Sequence, residues 1–298
     1  MRKIIKSLIS ITVLSLIFYS IDFEILKTTS FDFSQSYILS FLILLISSLF
    51  IRSFRWSILM NDKNVLVSQT ESFKLLLVGS SLNTFLPSGT GDIAKSYYGF
   101  KWTGIKERML YISILDKLIA VGSILFITPF TFFYSNSYLI LIAGIFSIIP
   151  FIFLFYFNFF NRFRLFNMPF KFISNKIKKI DLELLISHIK IPTLKIFISF
   201  IISIVAWIIT YIVLFLCFKV VGLSIPLIAV ICSIPFLTLG RLFPFTLNGI
   251  GTDEALIVFL FSSYTIFNEQ ILIAALLYRI ILIFIPAIVG LPFVISKK

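Results

Sequence analysis

The stretch that decides the fold runs from residue 118 to residue 161 and reads LIAVGSILFITPFTFFYSNSYLILIAGIFSIIPFIFLFYFNFFN. None of these 44 positions is Asp, Glu, Lys or Arg. An uncharged apolar run of about 18 residues or more is typical of a transmembrane helix. The turn-forming Tyr-Ser-Asn-Ser at residues 134–137 divides the run, which therefore predicts two spans, over residues 109–133 and 138–158.

The composition of the whole chain indicates an integral membrane protein. Apolar residues make up 59% and charged residues 13% of the 298 positions, and 37 residues are Phe. A soluble domain carries about 25% charged residues, so we exclude a soluble enzyme and a nucleic-acid-binding domain. A disulfide-stapled secreted module is also excluded, because Cys217 and Cys232 both lie in apolar stretches. The net charge of +13 comes from basic connecting segments, as expected for positive-inside orientation and attraction to anionic lipid.

Charge bias places the remaining spans and both termini. A basic start precedes an apolar run that ends at residue 21, which we interpret as an uncleaved first span with a cytoplasmic N-terminus. Residues 37–56, 196–218 and 270–293 are predicted as spans two, five and six, and Lys297 and Lys298 place the C-terminus inside. The basic, amphipathic segment 159–193 is predicted to lie on the cytoplasmic leaflet.

Residues 71–94 resemble a span but are interrupted by Pro87-Ser-Gly-Thr-Gly91 and flanked by basic residues on both sides. A full crossing would leave one basic cluster outside, so the bias favours a re-entrant hairpin entering from the cytoplasm. Such irregular backbone is tolerated at membrane depth only where protein or a wet cavity surrounds it. Asn83, before the break, is a candidate to satisfy free backbone groups or to contact a ligand.

A second broken segment, residues 226–263, is predicted to form a hairpin entering from the opposite face. The fold prediction is therefore an all-α membrane protein with about six full spans and two re-entrant hairpins. Residues 1–298 form one membrane domain, with residues 1–137 and 138–298 as two inverted halves. Interrupted apolar segments at matching positions of inverted halves are typical of a transporter's substrate site.

Ionisable residues fall where hydrocarbon is expected, at Asp92, Asp116, Lys117, Arg279 and the pair 253–254. Each would cost roughly 2.5 to 3.5 kcal/mol at the centre of a membrane helix, so they must be paired or wet. We expect Arg279 to pair with the two carboxylates of the second hairpin. Asp116 and Lys117 are consecutive and point about 100° apart, so we expect Asp116 to face inward and Lys117 to snorkel or pair elsewhere.

Two interpretations of these polar residues stay open. The charges either bind an anionic headgroup, together with glycine-flanked backbone N–H groups and Arg guanidinium groups, or they only lock the helices together. Similarly, the cluster around Arg52, Arg55 and Trp56 either contacts a ligand or is an interfacial anchor.

The order and spacing of these residues resemble the lysylphosphatidylglycerol synthase transmembrane-domain family, also called flippase-like, over nearly the whole chain. The matching residues are Arg52-x-x-Arg55-Trp56, Asn83-x-x-Leu86-Pro87-x-Gly89-x-Gly91-Asp92, Asp116, Pro244 with Asn248-Gly249-Ile250-Gly251-Thr252-Asp253-Glu254, and Arg279. Lys95 departs from the pattern, because an Arg is expected there and Lys lacks its bidentate fork. Larger members carry a cytosolic aminoacyl-transferase domain, whereas this sequence ends at Lys298, so we expect the stand-alone form without lysine-transfer chemistry.

The resemblance implies a protein of the prokaryotic plasma membrane that moves or presents an anionic phospholipid or polyprenyl-phosphate lipid between leaflets. The alternative is an accessory or catalytic subunit of a membrane glycosyl- or aminoacyl-transferase that acts on lipid-linked substrates, and a scaffold is a third possibility. We expect no cofactor, no metal and no catalytic motif, and membrane lipids or such a transferase as partners. The residues predicted to bind lipid are Arg52, Arg55, Asn83, Pro87, Gly89, Gly91, Asp92, Asp116, Asn248, Gly249, Gly251, Thr252, Asp253, Glu254 and Arg279.

The topology can be tested with single cysteines and a membrane-impermeant thiol reagent added from outside. Cysteines at Asn64 and Lys101 should be protected, because both ends of the first hairpin are expected in the cytoplasm. Cysteines at Ser36, Ser137 and Asn268 should be labelled. Labelling of only one of Asn64 and Lys101 would show that the first broken segment crosses the membrane, and the two halves would then not be inverted.

Overall fold

The computed structural model of the chain describes residues 31–62, 65–85, 90–103, 106–128, 191–242 and 249–296, where the regular structure is entirely helical. The helices of these ranges are α1 (Gln35–Met60), α2 (Gln69–Phe85), α3 (Thr90–Thr103), α4 (Lys106–Ile127), α5 (Thr193–Val220), α6 (Leu227–Leu242), α7 (Thr252–Phe261), α8 (Asn268–Arg279) and α9 (Ile285–Ile295). The predicted all-α class is confirmed. Predicted spans 1–21 and 138–158 and most of segment 159–193 lie outside the described residues.

Three of the described segments are long and apolar enough to cross a membrane, namely Gln35–Met60, Thr193–Val220 and Asn268–Ile295. They coincide with the predicted spans two, five and six. The first has 26 residues and the others have 28, more than the roughly 20 residues that hydrocarbon requires. The total of six spans and the inverted halves stay predictions.

The outward face of α1 shows why these helices belong in lipid. Its exposed side chains include Leu42, Ile43 and Phe50, each about half or more exposed. Its opposite face buries Ser48 and Ser53 beside Leu45. Apolar residues outside and hydroxyl groups inside reverse the pattern of a surface helix in water, so this chain is an integral membrane protein.

Helices α2 and α3 pack antiparallel on either side of residues 86–89. The close contacts pair Asn83 with Gly91, Gly79 with Lys95 and Leu75 with Gly99. The residue numbers decrease by four along α2 as they increase by four along α3, so the two helices run in opposite directions. Glycine permits this approach, because a Cβ at Gly91 would lie 2.3 Å from the backbone nitrogen of Asn83. The two helices therefore form a packed hairpin, and its re-entry from the cytoplasmic face stays a prediction.

Helices α6 and α7 flank the second break and have 16 and 10 residues. At 1.5 Å per residue they extend about 24 Å and 15 Å, less than the roughly 30 Å of hydrocarbon. Neither helix can therefore cross alone, as expected for a broken segment.

The last long segment changes geometry at its middle. Residues Ile280–Phe284 form a π turn directly after Arg279, between α8 and α9. Pro286 follows, and a proline ring clashes with the carbonyl of the residue four positions earlier. The wider π turn accommodates that ring and lets the helix continue, and π turns of this kind frequently occur at functional sites.

Helix α9 lies against α2 at a glycine. A Cβ at Gly290 would lie 2.2 Å from the Leu77 carbonyl oxygen and 2.3 Å from the Ser81 hydroxyl oxygen. One turn away, the Ser81 hydroxyl donates a 2.6 Å hydrogen bond to the carbonyl of Ala287. Small residues allow such close backbone approach between helices in membranes.

We expect Gly290→Ala to destabilise the protein by about 1 to 3 kcal/mol, because the added methyl group meets backbone that cannot move aside. In an unhindered helix the same change would stabilise by up to about 1 kcal/mol, so the sign of the effect is diagnostic. Thermal unfolding in detergent measures it. Val289→Ala is the matched control, since Val289 is 51% exposed to lipid. An unchanged midpoint for Gly290→Ala would contradict this packing.

Candidate functional site

The central cavity, of about 210 Å³, lies between α1, the α2–α3 hairpin, α4 and α5, with α6, α8 and the π turn contributing to its wall. Polar and charged side chains line much of it. The charged ones are Arg52, Arg55, Asp92, Lys95, Asp116 and Lys117. The cavity therefore has a polar and charged lining, in a protein whose outer face is apolar.

Asp116 joins three helices at the wall of the central cavity. Its carboxylate accepts a 2.7 Å hydrogen bond from Arg55 Nε of α1 and lies 3.7 Å from Lys95 Nζ of α3. The guanidinium of Arg55 also donates a 2.7 Å hydrogen bond to Ser203 Oγ on α5. Because the Lys95 side chain is only 2% exposed, breaking this network would leave charge in a low-dielectric site.

Lys95 has a second contact that fixes its position. Its ammonium lies 5.7 Å from the ring centroid of Trp56, a cation–π distance. Trp56 belongs to α1, and Lys95 therefore ties α3 to α1 as well as to Asp116.

Asp92 and Lys117 form the most accessible ion pair of the cavity, with a Nζ to Oδ2 distance of 2.9 Å. Their side chains are 18% and 36% exposed. Asp92 lies in the first turn of α3, where the positive end of the helix dipole favours a carboxylate. This pair links the first hairpin to α4 and is more exposed than the Lys95–Asp116 pair that also joins them.

Arg52 differs from the other cavity cations. Within the described ranges it has no ion-pair or hydrogen-bond partner, although it lines the cavity and is only partly exposed. It lies three residues before Arg55 on α1, so the two side chains are neighbours on one face of the helix. Asp92 and Asp116 attract the guanidinium of Arg52 at longer range, and its N–H groups make no described hydrogen bond, so they could donate to a ligand.

A second charged group, the hairpin cluster, consists of Gly249, Asp253, Glu254 and Arg279. The guanidinium of Arg279 pairs with both oxygens of Glu254, lies 3.2 Å from Asp253 Oδ2 and donates a 2.8 Å hydrogen bond to the carbonyl of Gly249. These side chains are 1% to 5% exposed. The cluster binds the start of α7 firmly to the end of α8.

Two glycines shape the turn before α7. Gly249 and Gly251 have φ angles of 72° and 85°, which glycine adopts without strain. A Cβ at Gly249 would also lie 2.7 Å from Asp253 Oδ1. The N–H of Gly251 donates a 2.8 Å hydrogen bond to Glu254 Oε2, so the same carboxylate caps α7 and holds Arg279.

The structure divides the predicted site residues into two groups. Arg52, Arg55, Asn83, Asp92 and Asp116 meet at the central cavity, where Asn83 Oδ1 also accepts a 2.8 Å hydrogen bond from the N–H of Gly91. Gly91 lies beside Asn83 in the first hairpin, and the other described ones form or flank the separate hairpin cluster: Gly249, Gly251, Thr252, Asp253, Glu254 and Arg279. Pro87, Gly89 and Asn248 lie outside the described residues.

Two pairing predictions are confirmed. Arg279 pairs with both Asp253 and Glu254. Asp116 and Lys117 take different partners on α1 and α3, as their divergent directions require.

Several cavity residues were missed at the sequence level. Ser203, Trp207 and Thr210 of α5 and Tyr278 of α8 line the cavity. The α5 residues recur at intervals of four and three, so they share one helix face, and this spacing inside an uncharged run was the available signal. Lys95 was recognised only as a departure from the family pattern. In the part of the chain that the structure describes, no three His, Cys, Asp or Glu side chains are placed to hold a metal ion.

We expect Arg279→Gln to destabilise the protein by roughly 3 to 5 kcal/mol, because it leaves buried carboxylates without their cation. Adding Glu254→Gln should recover a large part of that loss. Unfolding in detergent measures both variants, with Arg108→Gln as a control, because Arg108 pairs with the 42%-exposed side chain of Asp62. If Arg279→Gln were as stable as the unaltered chain, the cluster would not be a structural link.

Comparisons with known proteins agree with this architecture. No curated protein and no solved structure gives a significant match. The family model of the lysylphosphatidylglycerol synthase TM region matches residues 3–290 of the 298. The chain therefore belongs to the family of the lysylphosphatidylglycerol synthase transmembrane region.

Proposed function

We propose that the chain moves an anionic lipid from one leaflet of its membrane to the other. The observation that carries this proposal is the positive central cavity, in which Arg52, Arg55, Lys95 and Lys117 outnumber Asp92 and Asp116. These cationic side chains would stabilise a negatively charged headgroup, which hydrocarbon cannot do.

The apolar part of the cavity wall supports a lipid as the transported molecule. Leu76, Leu282 and Ile283 line the central cavity together with the charged side chains. A headgroup bound to the cations can therefore leave its acyl chains against apolar wall and membrane. Transport then requires only that the polar end be sheltered during its passage.

The two broken segments supply the parts that would move. Asp92 is the third residue of α3, and Lys117 follows it by 25 residues on the next helix. Glu254 is the third residue of α7, and Arg279 follows it by the same interval. This correspondence supports the predicted repeat of the two halves. In carriers with inverted repeats, alternating access comes from one repeat rocking or gating against the other.

The side chains of the pair Asp92–Lys117 are partly exposed, whereas those of the pair Glu254–Arg279 are buried. We infer that the two ion pairs separate alternately during transport. The pair Asp92–Lys117 would separate when the headgroup enters the cavity at the first hairpin.

Purified protein in vesicles that contain a fluorescent anionic phospholipid should speed its movement between leaflets. Quenching of the outer-leaflet label measures this movement. Asp92→Asn should reduce the rate about tenfold, because it removes the charged partner of Lys117 from the hairpin. Asp62→Asn is the matched control, since it removes a half-exposed carboxylate that pairs with Arg108 away from the cavity.

Correct insertion of both variants is checked by protease protection. A chemically altered lipid produced by the pure protein would replace this proposal with a transferase. The absence of faster movement for every anionic lipid tested, even with a transferase partner added, would leave a scaffold.

A further inference from the structure

The described side chains that line the central cavity carry more positive than negative charge. Its described lining has four cationic side chains and two carboxylates, a net charge of +2. Uncompensated charge in a membrane interior is costly, and it is compensated by a ligand, by counterions or by water. The size and sign of the excess therefore carry information about the ligand.

The excess is concentrated around α1. Asp116 lies between Arg55 and Lys95 and can neutralise only one of them, and Asp92 is engaged by Lys117. Arg52 makes no described ion pair or hydrogen bond and is attracted to the same two carboxylates at longer range. The surplus therefore lies around the neighbouring guanidinium groups of Arg52 and Arg55, whose fork geometry suits the oxygens of a phosphate.

Headgroups differ in how well they match this surplus. A phosphomonoester carries about −1.5 to −2 charges at pH 7 and presents three strong acceptor oxygens. A phosphodiester carries one charge and has two non-bridging oxygens. A headgroup with a net positive charge would add to the surplus.

We propose that the central cavity selects a lipid whose headgroup is a phosphomonoester, over phosphodiester lipids and over lipids with a cationic headgroup. Arg52 is the residue that determines this selectivity. The inference rests on the proposed function and specifies its substrate class. It takes the acyl or polyprenyl chain to lie along the apolar wall formed by Leu76, Leu282 and Ile283, which a free phosphate would leave unused.

Binding, rather than transport, tests this selectivity. Phosphatidic acid and phosphatidylmethanol with the same acyl chains differ by one methyl group and about one charge. At pH 8 the purified protein in detergent should bind phosphatidic acid at least about tenfold more tightly, the ratio that one additional close charge contact gives. Microscale thermophoresis with labelled protein measures both dissociation constants.

Arg52→Gln should bring the ratio of the two constants close to one. Arg52→Lys should keep an intermediate ratio, because it retains the charge and loses the fork. Lys101→Gln is the control, since Lys101 is an exposed residue on α3 outside the cavity. The unfolding midpoint of each variant confirms that it is folded; Arg52 gives up no described hydrogen bond when replaced.

One further ligand separates the possible sources of the phosphate. Glycerol 3-phosphate is a phosphomonoester without acyl chains, and its binding as tightly as phosphatidic acid would overturn the assignment to a lipid. Equal binding of phosphatidic acid and phosphatidylmethanol, or an unchanged ratio in Arg52→Gln, would overturn the selectivity. In that case faster movement of phosphodiester lipids in vesicles would still support the proposed function, whereas failure to bind or move any anionic lipid would contradict both.

Discussion

The cost of holding charged side chains inside a membrane determines which helices are neighbours in this protein. Asp116 of α4 engages Arg55 of α1 and Lys95 of α3, while Lys117 of α4 engages Asp92 of α3. Each contact joins residues from different helices, so a helix that moved away would expose a charge to hydrocarbon. Apolar packing between helices is weakly selective in lipid, because the tails are as apolar as leucine. The ion pairs therefore supply much of the specificity of the helix arrangement around the cavity.

Small residues bring the helices close enough for those ion pairs to form. Gly79 faces Lys95 with only 3.3 Å between its virtual Cβ and the lysine Cδ, and Gly99 faces Leu75 at the same distance. A larger side chain at Gly79 would push Lys95 away from Asp116. The glycines of α2 and α3 and the charges of α3 and α4 are thus parts of one arrangement, in which close packing positions the cations of the cavity.

Much of the fold could be predicted from the sequence because the membrane imposes simple rules on it. Long apolar runs with few or no charges predicted the spans at 37–56, 196–218 and 270–293, and the cost of a charge inside the last of them predicted that Arg279 pairs with the carboxylates of residues 253 and 254. The division of the charged residues into an open cavity and a closed cluster could not be predicted. It depends on the rotation of each helix about its axis, which packing against neighbours determines. The same rotation decides that Ser203, Trp207 and Thr210 face the cavity, and a run without charges gives only their shared face.

The ion pair Asp92–Lys117 of the first hairpin and the pair Glu254–Arg279 of the second differ in strength. Breaking a buried pair such as Glu254–Arg279 costs about 3 to 5 kcal/mol, and an exposed pair contributes about 0 to 1 kcal/mol. The pair Asp92–Lys117, at 18% and 36% exposure, lies nearer the second case. A phosphate that reaches the cavity can also replace Asp92 as the partner of Lys117, so the cation does not become unpaired when the hairpin is released. The Lys95–Asp116 pair of the same hairpin is buried, so under the proposed function an anionic ligand would release the Asp92–Lys117 contact and leave that second contact in place.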